Sequence, residues 1–267
     1  MLASVDWHVV WVRVAHPDHA FFIALTRTVY IAVIAQVMGV ILGLLAALMR
    51  MSKLRILRVL SGIYVWIFRG TPLLVQIFFI YYASNELLGF TLIPNSLNFG
   101  LFKLDGAVVA GILALGVNEG AYMREIIRAG IDSIDRGQME AAKSLGMRYS
   151  LAMRRIVLPQ AARVIVPPLG NEFNNMLKNT SLVFTIGVYE LFADAEITYS
   201  QNFQPVEVFM AVAFWYLVLT TIWSFIQSWI ERKLGASERS DDLSFFDRMT
   251  YAWIPRWGGA RGVGGAP

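Results

Sequence analysis

Cysteine is absent from the chain, so neither a disulfide framework nor a thiolate metal site can stabilise it. No G-x-x-x-x-G-K-[ST] phosphate loop occurs, and no glycine is followed directly by lysine. The chain therefore cannot be its own ATPase, and no cofactor is expected in it. G-x-S-x-G elbows and H-E-x-x-H pairs are missing as well, which leaves catalysis without a recognisable motif. Charge is scarce: Asp, Glu, Lys and Arg make up 16% of 267 residues, against 57% hydrophobic residues and a mean hydropathy of +0.54. A soluble domain of this length does not carry that balance, so the chain reads as an integral membrane protein with no nucleic-acid partner. A cleavable signal is lacking too, since Asp6, Arg13, Asp18 and the histidines interrupt any apolar run in residues 1–27. Trp7, Trp11, Phe21 and Phe22 mark those residues instead as an extracytoplasmic, interfacial segment. His8, His16 and His19 lack an acidic partner pattern, and no metal site is expected there. No internal repeat is visible.

What the chain does contain is long apolar runs. Val29 to Met49 is broken only by Gln36, and Val208 to Ile230 is nearly as clean; each can cross roughly 30 Å of hydrocarbon at about 1.5 Å per residue. Three further spans carry punctuation: about Trp66 to Leu87, Gly106 to about Met123, and about Val164 to Leu177. In the first of these, Thr71 before Pro72 reads as an N-cap followed by a first-turn proline, so the helix is expected to start or restart there. Lys53 to Phe68 would then lie along the inner interface, which suits its basic residues and Tyr64 and Trp66. The connections orient the spans. Arg50, Lys53, Arg55 and Arg58 crowd the first with no acid, and eight basic residues from Arg124 to Arg163 face four acids, so both are expected in the cytoplasm. Ser84 to Asp105 and Lys178 to Glu207 are neutral to acidic and belong outside. The expectation is an all-α polytopic protein of about five spans, N-terminus outside and C-terminus inside. Residues 28–234 form its transmembrane domain. Residues 235–267 form a cytoplasmic tail with a surface helix around Phe245 to Ile254.

The basic loop carries the most informative stretch, Glu140 to Pro159. Ala141 and Ala142 are small and strongly helix-forming, so a helix back can lie close to another surface, and Leu145 can offer an apolar knob. Gly146 can take the left-handed conformation that ends one helix and turns into the next. A protruding helical elbow is expected. Read as E-A-A-K-S-L-G with I-V-L-P nine residues later, it resembles the cytoplasmic EAA loop of ABC importer permeases, here spanning residues 137–159. Phe68-Arg69-Gly70-Thr71-Pro72-Leu73-Leu74-Val75-Gln76, Gly137-Gln138, Leu158-Pro159-Gln160-Ala161 and Pro167-Pro168-Leu169-Gly170-Asn171-Glu172-Phe173 are similar to the permeases for polar amino acids. The resemblance covers roughly residues 28–235. It implies a dimer of permeases, identical or homologous, in the bacterial inner membrane. Its partners would be two ATPase subunits that bind ATP and Mg and receive the elbow at Glu140, Ala141, Ala142, Leu145 and Gly146, together with an extracytoplasmic amino acid binding protein.

Within the fourth span, Pro167-Pro168 is expected to interrupt the backbone ladder ahead of Asn171, Glu172, Asn174, Asn175 and Lys178 near mid-bilayer depth. Ionisable groups there cost roughly 2.5–3.5 kcal/mol and face a cavity or a partner. Asn171, Asn175 and Lys178 fall on one helical face with Glu172 beside them, a candidate pocket wall; the alternative is polar glue between two permeases. Asn179-Thr180-Ser181 is expected to break the helix so that Leu182 to Phe192 forms a second half-helix. Its free amides at Thr180 and Ser181 would suit a substrate carboxylate, with Glu172 taking the ammonium group or a cationic side chain. Asn118, Glu119 and Tyr122 in the third span either line the path or pair with Arg69 or Arg124. The function expected is transport of a polar or charged amino acid, coupled to a separate ATPase. A secondary transporter or channel without ATPase, and a scaffold without a path, are the alternatives.

Overall fold

The computed structural model describes residues 5–83, 93, 96–98 and 103–235. The expected tail helix at Phe245 to Ile254 lies outside them. Asp6 opens α1 (Trp7–Ala15) by accepting the His8 N–H at 3.0 Å, and Asp18 opens α2 (His19–Met51) by accepting the Phe21 N–H at 2.8 Å. α3 (Arg55–Gly70) and α4 (Leu73–Phe78), which continues as a π turn through Ala83, meet at 108°. An antiparallel pair, β1 (Ser96–Asn98) and β2 (Lys103–Asp105), leads into α5 (Gly106–Asp132). The elbow is α6 (Arg136–Ser144) and α7 (Tyr149–Ala152), joined by a π turn at Met153–Val157 to α8 (Leu158–Asn179). A 3-10 helix over Thr180–Ile186 leads to α9 (Leu191–Asn202) and then α10 (Pro205–Lys233).

Among the described residues the regular structure is helical apart from that hairpin. Among the described residues α2, α5 and α10 are long and apolar enough to cross a membrane, and the bent α3–α4 pair makes a fourth crossing if counted as one span. α8, the expected fourth span, is 22 residues long, enough for about 33 Å, but Arg163, Asn171, Glu172 and Lys178 dilute its apolar character.

The core is built on α2 against α5. Gly39 and Gly43 of α2 face Gly116 and Gly120 of α5, two small-xxx-small pairs that let the backbones approach. A Cβ on Gly39 would sit 2.5 Å from Glu119 Cγ, and one on Gly43 would sit 2.9 Å from the Arg124 backbone nitrogen. Ile31, Ala35, Ala110, Ala114 and Leu115 close the rest of this seam and are almost fully buried. The pairing was not anticipated from the sequence, although its spacing is visible there.

Three local expectations change. Thr71 ends α3 instead of capping α4: its hydroxyl donates to Ile67 O at 2.8 Å, and Pro72 occupies the cap itself. Pro167 and Pro168 lie inside a continuous α8, whose carbonyls at Pro167 and Gly170 are bound from α10 by Gln227 Nε2 at 3.2 Å and Trp223 Nε1 at 2.8 Å. No half-helix starts at Thr180. The chain tightens there into the 3-10 turn, where Thr180 and Ser181 hydroxyls donate back to Leu177 O and Lys178 O, each at 2.8 Å. The left-handed Gly187, φ 84°, ends that turn.

The two ends of the helical stack differ in charge. Ser61 of α3 donates to Ala46 O near the end of α2, Arg124 binds Ser61 and Glu125, and a Cβ on Gly235 would sit 3.8 Å from the Arg163 guanidinium. The basic last turns of α2 and α10 thus share one side with the end of α5 and the elbow. The other side holds α1, the start of α2 and α9, tied by Arg13–Asp194, by Asp6 to Glu207 and by Arg27 against Tyr189.

Candidate functional site

The elbow is shaped by its own backbone. Asp135 accepts the Gly137 N–H at 2.7 Å to start α6. At its other end Gly146 has φ +79°, its N–H donates to Lys143 O at 2.9 Å and the Met147 N–H donates to Ala142 O at 3.0 Å. These two bonds form the Schellman closure, which needs a left-handed residue at Gly146. The burial pattern divides the motif. Ala142 and Ala152 are buried where α6 folds onto α7, so Ala142 closes the elbow on itself instead of offering a back to a partner. Glu140 and Ala141 are exposed, and Leu145 is 83% exposed at the tip with Tyr149 beside it. An uncovered leucine on a helical corner is an apolar knob on an otherwise charged loop.

On α8, Asn171, Asn175 and Lys178 are exposed along one face and Glu172 is half-buried beside them. Asn171 Oδ1 accepts from Gln227 Nε2 at 3.4 Å. The stripe runs into a cavity of about 240 Å³ lined by Lys178, Ser181, Phe192, Phe209, Val212, Ala213 and Tyr216. Its size suits a ligand below the usual drug-sized range. Lys178 is the cation at this cavity, whose lining also includes Ser181, Tyr216 and the aromatic Phe192 and Phe209. Thr180 is fully buried with its hydroxyl spent on Leu177, so it belongs to the turn and not to the cavity wall. Asn174 Oδ1, on the same helix, is buried without a hydrogen-bond partner among the described residues.

The helix N-terminus that does exist nearby is already filled. Glu190, completely buried, caps α9 by accepting the Ala193 N–H at 2.8 Å, and Tyr216 donates to its other oxygen at 3.1 Å. The Leu191 N–H goes to Thr28 Oγ1 at 3.0 Å. The amides that a substrate carboxylate would want are held by the chain's own carboxylate.

Asn118 and Tyr122 are placed apart from that stripe. Asn118 Nδ2 donates to Phe68 O and to Gln76 Oε1, both at 2.9 Å. Gln76 Nε2 in turn lies 2.9 Å from Phe68 O, 3.0 Å from Thr71 O and 2.8 Å from Thr71 Oγ1. The 108° break between α3 and α4 leaves carbonyls with no helical donor, and these two amides supply them. Asn118 is therefore a staple of the break. Tyr122 carries Arg69 over its ring at 5.0 Å, and Glu119 is buried against α2, accepting from Gln36 Nε2 at 3.1 Å. Gln76 and Gln36 were missed as working residues; only their position inside apolar runs signals them.

Residues 39–236 match the family of binding-protein-dependent transport system inner membrane components. The chain belongs to that family. Among its relatives is the arginine transport system permease protein ArgU of Corynebacterium glutamicum, 43% identical over 217 residues that cover 78% of this chain and 66% of that protein. The probable amino-acid permease protein YxeN of Bacillus subtilis is 41% identical over 217 residues, covering 81% of this chain and 92% of its own. A solved amino acid ABC transporter, crystallised with histidines, aligns with a TM-score of 0.70 at 39% identity over 80% of this chain and 94% of that one. The MetNI methionine ABC transporter, at 17% identity and a TM-score of 0.65, shares the fold. The permease is thus a membrane-embedded component and not the ATPase, and the exposed elbow is part of the matched region.

Proposed function

We propose that this permease forms the path of an ATP-driven importer for a polar or charged amino acid and couples it to separate ATPase subunits. The observation that carries the proposal is the elbow: a loop whose backbone is closed by Gly146 and whose tip, Leu145, is left uncovered. Two permease copies, identical or homologous, sit on two ATPases, which hold ATP and Mg; the permease itself holds no cofactor. An extracytoplasmic binding protein delivers the amino acid to the side opposite the elbow. The basic last turns of α2 and α10, with the basic residues of the elbow, support an orientation with the elbow and the C-terminus in the cytoplasm and α1 outside. The protein resides in the bacterial inner membrane.

The α8 stripe and its cavity are the ligand site in this proposal. Lys178 and Ser181 face the carboxylate, a role first expected of free amides at Thr180, and Glu172, Asn171 and Asn175 face the ammonium group and a polar or cationic side chain. The arginine and amino acid transport named for the relatives agrees with a charged or polar substrate. The test is to purify the complex with its binding protein and measure which amino acids stimulate ATP hydrolysis. Stimulation by a polar or cationic amino acid is expected. Transport that persists without any subunit bearing a phosphate loop would favour a secondary transporter.

A further inference from the structure

We propose that α1 is a strap on the side of the molecule opposite the elbow, and that Arg13 is a positioning residue holding α9 over the cavity at Lys178 and Ser181. The family match begins at residue 39, so α1 lies outside the matched stretch. It is nonetheless fixed at both ends. The Asp6 N–H donates to Glu207 Oε1 at 2.9 Å, and Trp215 Nε1 donates to Arg13 O at 3.4 Å, so α1 rides along the start of α10. From there Arg13 reaches across to α9, where Nη1 pairs with Asp194 Oδ2 at 3.3 Å and Nη2 donates to Thr198 Oγ1 at 2.6 Å.

The ligands of Arg13 are four residues apart, one face of α9. Phe192, two residues before Asp194, lies on the opposite face and walls the cavity. One side of α9 therefore covers the cavity while the other is bolted to α1. The bolt is partly desolvated, with the Asp194 side chain 8% exposed and that of Arg13 26%. Asp194 is not free to turn away, because its second oxygen accepts from Tyr189 OH at 2.7 Å. A charged bond of this kind is stronger than an exposed surface pair and directional enough to set the helix position. Release of the strap would free α9 to carry Phe192 away from the cavity wall.

The absence of native cysteine makes both predictions measurable in the full-length protein. Val212, buried beneath α9, is replaced by cysteine and its reaction with a water-soluble maleimide is followed. In the otherwise native chain the rate is slow. Adding Arg13→Gln is expected to raise it about tenfold, the response to roughly 1.4 kcal/mol of lost closure. Arg13→Lys should recover part of the protection, and the exchange Arg13→Asp with Asp194→Arg should recover most of it. An unchanged rate in Arg13→Gln overturns the proposal. The second measurement replaces the ionic bond by a covalent one: cysteines at Arg13 and Thr198, joined by a reducible bifunctional reagent, should stop transport until the reagent is cleaved. Full transport by the cross-linked protein also overturns it. The labelling experiment requires insertion alone, so its failure is separable from failure of the importer reading on which the proposal rests.

Discussion

The elbow and the α8 stripe are both polar interruptions of an apolar chain, yet they are made in different ways. The elbow is defined by bonds a few residues apart: Asp135 to Gly137, Gly146 to Lys143 and Met147 to Ala142. The stripe is defined by what other helices bring to it, with Gln227 from α10 on Asn171 and Phe192 and Tyr216 from α9 and α10 around Lys178. A local device keeps its shape while its surface is handed to a partner. A tertiary device changes whenever its neighbours move, which is what a transport site requires.

The largest effect is expected at neither region but in the seam that supports both. Gly43→Leu would drive a side chain into Met123 and the Arg124 backbone, costing roughly 3 kcal/mol or more and lowering the amount of folded protein in detergent thermal-stability assays. A stable, fully assembled variant would mean that α2 and α5 can separate freely, and the comparison would lose its rigid reference.

Next comes the stripe. Glu172→Gln and Asn175→Ala are expected to weaken substrate binding by roughly 1.5–3 kcal/mol, about ten- to a hundredfold, while the complex stays assembled and its basal ATPase persists. Loss of the permease pair with unchanged half-saturation would instead make these residues glue between copies.

A slightly smaller change is expected at the α3–α4 break. Gln76→Ala strips the side-chain donor from Thr71 O, one of two donors from Phe68 O and an acceptor from Asn118, and should cost about 1–3 kcal/mol. Thermal unfolding of the purified permease checks it, and a Gln76→Glu variant, which removes the amide donor, should be no better.

The smallest effect on stability and the most selective effect on function belong to the elbow. Gly146→Val forces a branched side chain into φ +79°, a cost of about 1–2 kcal/mol confined to the loop because no atom lies within 4 Å of the added Cβ. Insertion and folding should survive while stimulation of the ATPase falls.

The same division explains how much the sequence disclosed. Gly146 and the elbow it closes were legible because left-handed closure depends on residue type and short spacing, whereas the Asp135 cap at the start of α6 was not singled out. The long spans were legible from hydropathy. The partners of Thr180 and Asn118 were not legible because polar residues in a span look alike until the fold is known: one donates to its own turn, the other staples a bend fifty residues earlier in the chain. The prolines in α8 were expected to break it, and the contacts from Trp223 and Gln227 that dock it to α10 cannot be seen from residues 158–179 alone. Glu190 went unnoticed because its partners, Thr28 and Tyr216, come from helices at opposite ends of the sequence.

The central claim is that the uncovered tip of the elbow meets an ATPase on the cytoplasmic side. Leu145→Cys, the sole cysteine in the chain, tests it by cross-linking in intact cells followed by identification of the captured subunit. The account predicts capture of a subunit carrying a phosphate loop, with no labelling by impermeant reagents from outside. Labelling from outside, or capture of no such subunit while transport is active, would contradict it.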